Sequence, residues 1–60
     1  MSKLKECRIL AGFTQEQVGK ILDISQEVIS QYENGGRKLT LELAGKFAKL
    51  YGVSVDTFLP

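Results

Sequence analysis

The 60-residue chain has no histidine, no tryptophan, one proline and one cysteine, Cys7. Without histidine or a second cysteine, the common zinc sites are excluded, and so are the serine–histidine and cysteine–histidine pairs of nucleophilic catalysis. A core of this size also leaves little room for a substrate pocket. We therefore expect no enzyme activity, no metal and no cofactor. Since a single cysteine cannot form an internal disulfide, we expect an intracellular protein and interpret Cys7 as a small core residue.

Long apolar runs and a strong charge imbalance are also missing. No run approaches the roughly 20 apolar residues of a membrane helix, and charged residues between Lys3 and Arg8 interrupt any signal peptide. A net charge of +1 does not by itself indicate a nucleic-acid partner. Hydrophobic residues make up 43% of the chain, which is typical of a globular protein. We expect one domain, residues 1–60, near the lower size limit for an unaided core.

Turn-forming and capping residues divide the chain into five short helical segments. Four breaks are predicted, at Gly12, Asp23, Gly35–Gly36 and Gly52. Four residues have the side chain and position to cap the helix that follows: Thr14, Ser25, Thr40 and Ser54. Thr14 and Gln17 also have the spacing of a capping box. These signals predict an all-α fold, with helices over residues 3–11, 14–22, 25–34 and 41–51 and a last helical turn after residue 54.

Apolar residues at helical spacing identify the buried face of each predicted helix. The expected core positions are, in chain order, Leu4, Cys7, Leu10, Ala11, Val18, Ile21, Leu22, Ile24, Ile29, Tyr32, Leu41, Ala44, Phe47, Ala48 and Tyr51. The last segment, VSVDTF, also alternates as a strand would. A lone strand without a partner would be unstable, so a helical turn is preferred there.

The second and third predicted helices are joined by only three residues, Asp23–Ser25. Two short helices joined this tightly cross at a steep angle, as in a helix-turn-helix unit, here about residues 14–34. Gly19 supports this arrangement, because only a small residue permits close approach of the two helices there. The outward face of the third helix then carries Gln26, Glu27, Ser30 and Gln31, with Val28 on its flank.

The side chains on that outward face match the chemistry of base recognition. Glutamine can pair with adenine through two hydrogen bonds, glutamate can accept from the amino group of cytosine, and a valine methyl suits the thymine methyl. Glutamine, glutamate and serine are also ordinary residues of a solvated helix surface. The face alone leaves both interpretations open.

The sequence resembles the lambda repressor/Cro-like (XRE) family of helix-turn-helix domains over about residues 3–59. The matching stretches are Arg8, GFTQE at 12–16, VG at 18–19, IS at 24–25, ISQYENG at 29–35, Arg37, LE at 41–42, AK at 48–49 and GVSVD at 52–56. ISQYENG followed by an arginine, with GVSVD downstream, is the specific part of this match. The chain departs from the family pattern at Gly19 and Asp23, where many relatives carry alanine and glycine.

The resemblance implies a five-helix domain of a transcriptional regulator, with a repressor preferred, that binds a double-stranded DNA operator as a homodimer. It implies base-reading roles for Gln26, Glu27, Val28, Ser30 and Gln31, and phosphate contacts by Gln15, Ser25, Asn34, Arg37 and Lys38. It also implies a partly buried ion pair between Arg8 and Glu33. A cytoplasmic, nucleoid-associated location and a bacterial or phage origin follow from the same resemblance. No membrane or small-molecule partner is expected.

Two further expectations concern partners. The dimer interface is expected in the C-terminal third of the chain, with Val55 and Leu59 as its residues, because the apolar positions there are not all needed inside. The alternative function is a protein-interaction module, such as an antitoxin-like or adaptor domain, that uses the same fold without reading DNA. The near-neutral net charge and Glu27, whose carboxylate would lie near phosphates, favour that alternative.

Overall fold

A computed structural model describes residues 2–59 and contains four α-helices followed by a 3₁₀ helix. Helix α1 spans Lys3–Leu10, α2 Gln15–Leu22, α3 Gln26–Glu33 and α4 Leu41–Tyr51, and the 3₁₀ helix spans Val55–Phe58. No strand occurs within this described part of the chain, and none of its helices has the length and apolar character needed to cross a membrane. The predicted all-α fold is therefore confirmed, with a 3₁₀ helix as the fifth element.

Hydroxyl side chains begin every helix. Oγ1 of Thr14 accepts a hydrogen bond from the backbone N–H of Gln17, and the Gln17 side chain accepts one from the Thr14 N–H, which completes the predicted capping box. The other helices are preceded by the N-cap residues Ser2, Ser25, Thr40 and Ser54, and the side chain of each accepts a bond from a backbone N–H. These bonds satisfy N–H groups that have no partner inside the helix. The four predicted caps are confirmed, and Ser2 is an additional one.

The turn between α2 and α3 depends on a left-handed residue and a glycine. Asp23 ends α2 with φ +57°, a conformation that aspartate adopts more readily than most residues. A Cβ placed on Gly19 would lie 2.6 Å from the backbone oxygen of Ile24, closer than Cβ atoms approach in real structures. A side chain at Gly19 would therefore push the turn away from α2. The prediction that Gly19 permits close approach is confirmed.

The centre of the core comes from α2, α3 and α4. Val18, Ile29 and Phe47 are fully buried there, and Leu4 and Tyr51 complete the cluster. The rings of Phe47 and Tyr51 stack with their centroids 5.9 Å apart. Because Ile29 is surrounded on all sides, it fixes which side of α3 faces inward.

Four predicted core positions are wrong: Leu10, Ala11, Ile21 and Leu41 are exposed. Leu10 exposes 86% of its surface and Leu41 exposes 67%. All four lie in the first or last turn of a short helix or just beyond it. Within residues 2–59, no neighbouring helix extends far enough to cover them. Helical spacing identifies a face, but it does not say how far along the helix the neighbours reach.

Candidate nucleic-acid interface

Helix α3 has one side fixed in the core and the other open to solvent. Ile29 and Glu33 are buried on the inner side. The outer side carries the predicted base-reading residues: Gln26 and Glu27, which are exposed, and Val28, Ser30 and Gln31, which are partly buried. All of them except Val28 line one shallow depression together with Gln15. The structure therefore brings four of these five residues to one concave surface and places Val28 outside it.

Arg8 and Glu33 form an ion pair beneath this surface. Nε of Arg8 donates to Oε2 of Glu33 at 2.7 Å, and Nη2 donates to Oε1 at 3.4 Å. The two side chains expose only 11% and 3% of their surface. Nη1 of Arg8 also donates to the backbone oxygen of Phe13 at 2.9 Å. Arg8 thus links α1, the turn before α2 and the last residue of α3, which sets the position of α3.

Gln15 lies between this ion pair and the first residue of α3. Its Nε2 donates to Oε1 of Glu33 at 3.0 Å, and its Oε1 accepts from Nε2 of Gln26 at 3.5 Å. The predicted role of Gln15 is a phosphate contact, and the structure gives it a second one, which is to orient Gln26. The residues involved are 11 and 18 positions apart in the chain, so no local sequence pattern could have predicted these bonds.

Arg37, in the loop after α3, contacts two residues of that helix. Its Nε donates to Oε1 of Gln31 at 3.0 Å, and its Cζ lies 5.8 Å from the centre of the Tyr32 ring. A guanidinium at that distance from an aromatic face makes a cation–π contact. The structure therefore joins a predicted base-reading residue to a predicted phosphate-contacting residue, and the two roles are not independent.

The other predicted phosphate-contacting residues flank α3 at its two ends. Oγ of Ser25 accepts from the backbone N–H of Val28 at the start of the helix, and Oδ1 of Asn34 accepts from the N–H of Gly36 after its end. In these bonds the two side chains act as acceptors through their oxygens. The hydroxyl hydrogen of Ser25 and the amide hydrogens of Asn34 can therefore still donate to a phosphate. Lys38 is exposed in the following loop. The three residues therefore present donors on both sides of the α3 surface.

The predicted dimer residues belong to the C-terminal segment. Val55 is partly buried in the 3₁₀ helix, and Leu59 exposes 38% of its surface just after it. Leu59 also lines a groove beside the loop that carries Arg37 and Lys38. The segment is thus adjacent to the loop that follows α3, and Leu59 offers more free surface than Val55.

Sequence comparisons with known proteins give matches over nearly the whole chain. A family model described as helix-turn-helix matches residues 4–58. The chain is 40% identical over 55 residues to the uncharacterized HTH-type transcriptional regulator MJ0272 of Methanocaldococcus jannaschii, and the match covers 92% of the chain and 83% of that relative.

Two relatives from Bacillus subtilis are longer. The chain is 37% identical over 57 residues to the HTH-type transcriptional regulator ImmR, a match that covers 95% of the chain and 45% of ImmR. It is 32% identical over 57 residues to the SPbeta prophage-derived uncharacterized HTH-type transcriptional regulator YonR, with 95% of the chain and 53% of YonR covered. The chain therefore spans about half the length of these two proteins.

Proposed function

Because residues 4–58 make this chain a member of the lambda repressor/Cro-like (XRE) family of helix-turn-helix domains, we propose that it is a sequence-specific DNA-binding transcriptional regulator, and specifically a repressor. The relatives ImmR and YonR are themselves named HTH-type transcriptional regulators. The observation that carries the proposal is the concave polar surface of α3, held from behind by Ile29 and the Arg8–Glu33 ion pair.

Helix α3 enters the major groove, which is wide enough to admit an α-helix. Gln26 and Gln31 form hydrogen bonds with base edges there, Glu27 accepts from a cytosine amino group, and Ser30 and Val28 contact the bases beside them. The residues at either end of the helix hold the DNA backbone: Gln15, Ser25, Asn34, Arg37 and Lys38. Backbone contacts of this kind fix the position and register of the helix, while the groove contacts specify the sequence.

The chain binds its operator as a two-fold homodimer. One recognition helix covers only a few base pairs, and a symmetric dimer places two such helices about 34 Å apart, one turn of DNA. The C-terminal segment supplies the contact between the two copies, through Val55 and Leu59. Leu59 supports this assignment, since it is apolar and more than a third exposed.

Selection of bound duplexes from a random DNA pool tests the proposed function. We expect an enriched site made of two symmetric half-sites. Gln31→Ala should weaken binding to that site by about 1–3 kcal/mol and relax the preference at one base pair in each half-site. Lys49→Ala, a change on the exposed side of α4, should select the same sequence as the wild type. If a folded chain enriches no duplex, or if Gln31→Ala selects the wild-type site unchanged, the proposal is wrong.

A protein-interaction module is the second candidate, and one observation favours it. Glu27 is exposed at the start of α3, where its carboxylate would face DNA phosphates of like charge. The dependence of duplex binding on salt separates the two functions. Each phosphate contact releases counterions. A plot of the logarithm of the affinity against the logarithm of the salt concentration should therefore have a slope of about −0.9 per phosphate contact. A module that binds only proteins has no such slope with duplex DNA.

A further inference from the structure

Gln31 and Arg37 form a pair whose geometry is held from below. Phe47 is fully buried, and the Tyr32 ring packs against it edge-on, with the centroids 6.3 Å apart. The Arg37 guanidinium lies against the Tyr32 ring, and its Nε donates to Oε1 of Gln31 at 3.0 Å. The contacts therefore run without a break from the core to the Gln31 amide.

The bond from Arg37 decides which way the Gln31 amide faces. A glutamine amide carries an acceptor oxygen on one side of a planar group and two N–H donors on the other. With Oε1 directed at Arg37, Nε2 faces away from it and presents donors. A free glutamine would pair with adenine by accepting from N6 and donating to N7. Oε1 keeps a second lone pair, but an adenine amino group that used it would have to approach beside the Arg37 guanidinium, which is also a donor and carries a positive charge.

We propose that Arg37 makes Gln31 select guanine over adenine, because it engages Oε1 of the Gln31 amide and leaves the two N–H donors of Nε2 free for the base. Guanine carries two acceptors, O6 and N7, on its major-groove edge, so it fits a surface of donors. The inference rests on the proposed function, since it needs α3 in the major groove. It gives Arg37 a role in sequence preference in addition to its phosphate contact.

Two substitutions at Arg37 separate the effect of its Nε–H donor from the effect of its positive charge. Arg37→Lys keeps the positive charge but has a carbon, which cannot donate a hydrogen bond to Gln31, at the side-chain position of Nε. Arg37→Gln removes the charge but can place an N–H at that position. Both change an exposed loop residue, so both variants should melt close to the wild-type temperature. A melting curve for each one checks this before DNA binding is measured.

The experiment combines selection from a random duplex pool with affinities for matched guanine and adenine sites. The base pair to compare is the one whose preference disappears in Gln31→Ala. The wild type should prefer guanine there by on the order of ten-fold. Arg37→Lys should keep the wild-type salt slope but lose this preference or shift toward adenine. Arg37→Gln should keep the guanine preference while its salt slope decreases by about 1.

The outcomes distinguish this inference from the proposed function. An adenine preference in the wild type would overturn the inference, and so would a guanine preference that persists in Arg37→Lys. Loss of the preference in both variants would assign the effect to charge instead of position and would also overturn it. In each of these cases a selected site that depends on Gln31 leaves the proposed function intact. If no duplex is enriched at all, the proposed function fails and the inference fails with it.

Discussion

At the scale of single residues, Tyr51 combines a well-packed aromatic ring with a buried hydroxyl group. Its ring stacks on Phe47 and packs near Phe13, but among residues 2–59 its buried hydroxyl has no hydrogen-bond partner. Burial, and then the negative charge of Glu33, raise the pKa of Tyr51 from its usual value near 10 to about 12. The hydroxyl therefore opposes folding, while the ring favours it.

Tyr51→Phe should raise the free energy of unfolding by about 1 kcal/mol at neutral pH, because it removes a buried hydroxyl without a partner and keeps the ring. The difference in the free energy of unfolding between this variant and the wild type should increase at high pH. The pKa of Tyr51 is higher in the folded state, so the unfolded state releases this proton first and the wild type loses stability from about pH 10 to 12. The phenylalanine variant lacks that loss. Urea unfolding at neutral pH and near pH 11 measures both effects.

The same chemical change at Tyr32, which is partly exposed, is the matched control. Tyr32→Phe should alter the stability at neutral pH by less than about 0.5 kcal/mol. If Tyr51→Phe is instead the less stable variant at neutral pH, the Tyr51 hydroxyl is satisfied in solution and the prediction is wrong.

At the scale of helices, two glycines inside α2 and α4 should respond in opposite ways to the same substitution. A Cβ on Gly45, in α4, would meet no atom within 4 Å, whereas a Cβ on Gly19 would meet the Ile24 oxygen at 2.6 Å. Glycine costs a helix interior about 1 kcal/mol relative to alanine. Gly45→Ala should therefore stabilise the chain by up to about 1 kcal/mol, and Gly19→Ala should destabilise it because the turn must move. Thermal melts of the two variants give the comparison, and equal shifts of the same sign would contradict it.

Helix starts could be predicted from the sequence, whereas contacts between elements could not. Thr14 and Thr40 cap their helices through bonds to residues three positions away, so the helix starts could be predicted from local spacing. The exposure of Leu10 and Leu41 could not, because it depends on how far neighbouring helices extend. The residue types of the α3 surface were readable from the sequence. The bond between Gln31 and Arg37 was not, since it joins a helix to a loop whose path no local signal specifies.

At the scale of the whole molecule, the stability of the fold and the shape of the α3 surface depend on the same ion pair. Arg8 bonds Glu33 at the end of α3 and the Phe13 oxygen before α2, and Glu33 in turn accepts from Gln15. A chain of this length is stable by only about 3–9 kcal/mol, at roughly 0.05–0.15 kcal/mol per residue. An interaction worth a few kcal/mol is therefore a large part of the total.

Arg8→Ala should cost about 3–5 kcal/mol, because it leaves the Glu33 carboxylate buried without its cation. The exposed pair of Lys20 and Glu16, with 3.9 Å between its nitrogen and oxygen, offers the control. Lys20→Ala should change stability by less than about 1 kcal/mol, since water screens that pair. Urea unfolding of both variants measures the difference. If Arg8→Ala unfolds at the wild-type urea concentration, the buried pair contributes nothing, and α3 must be held in place by its apolar contacts alone.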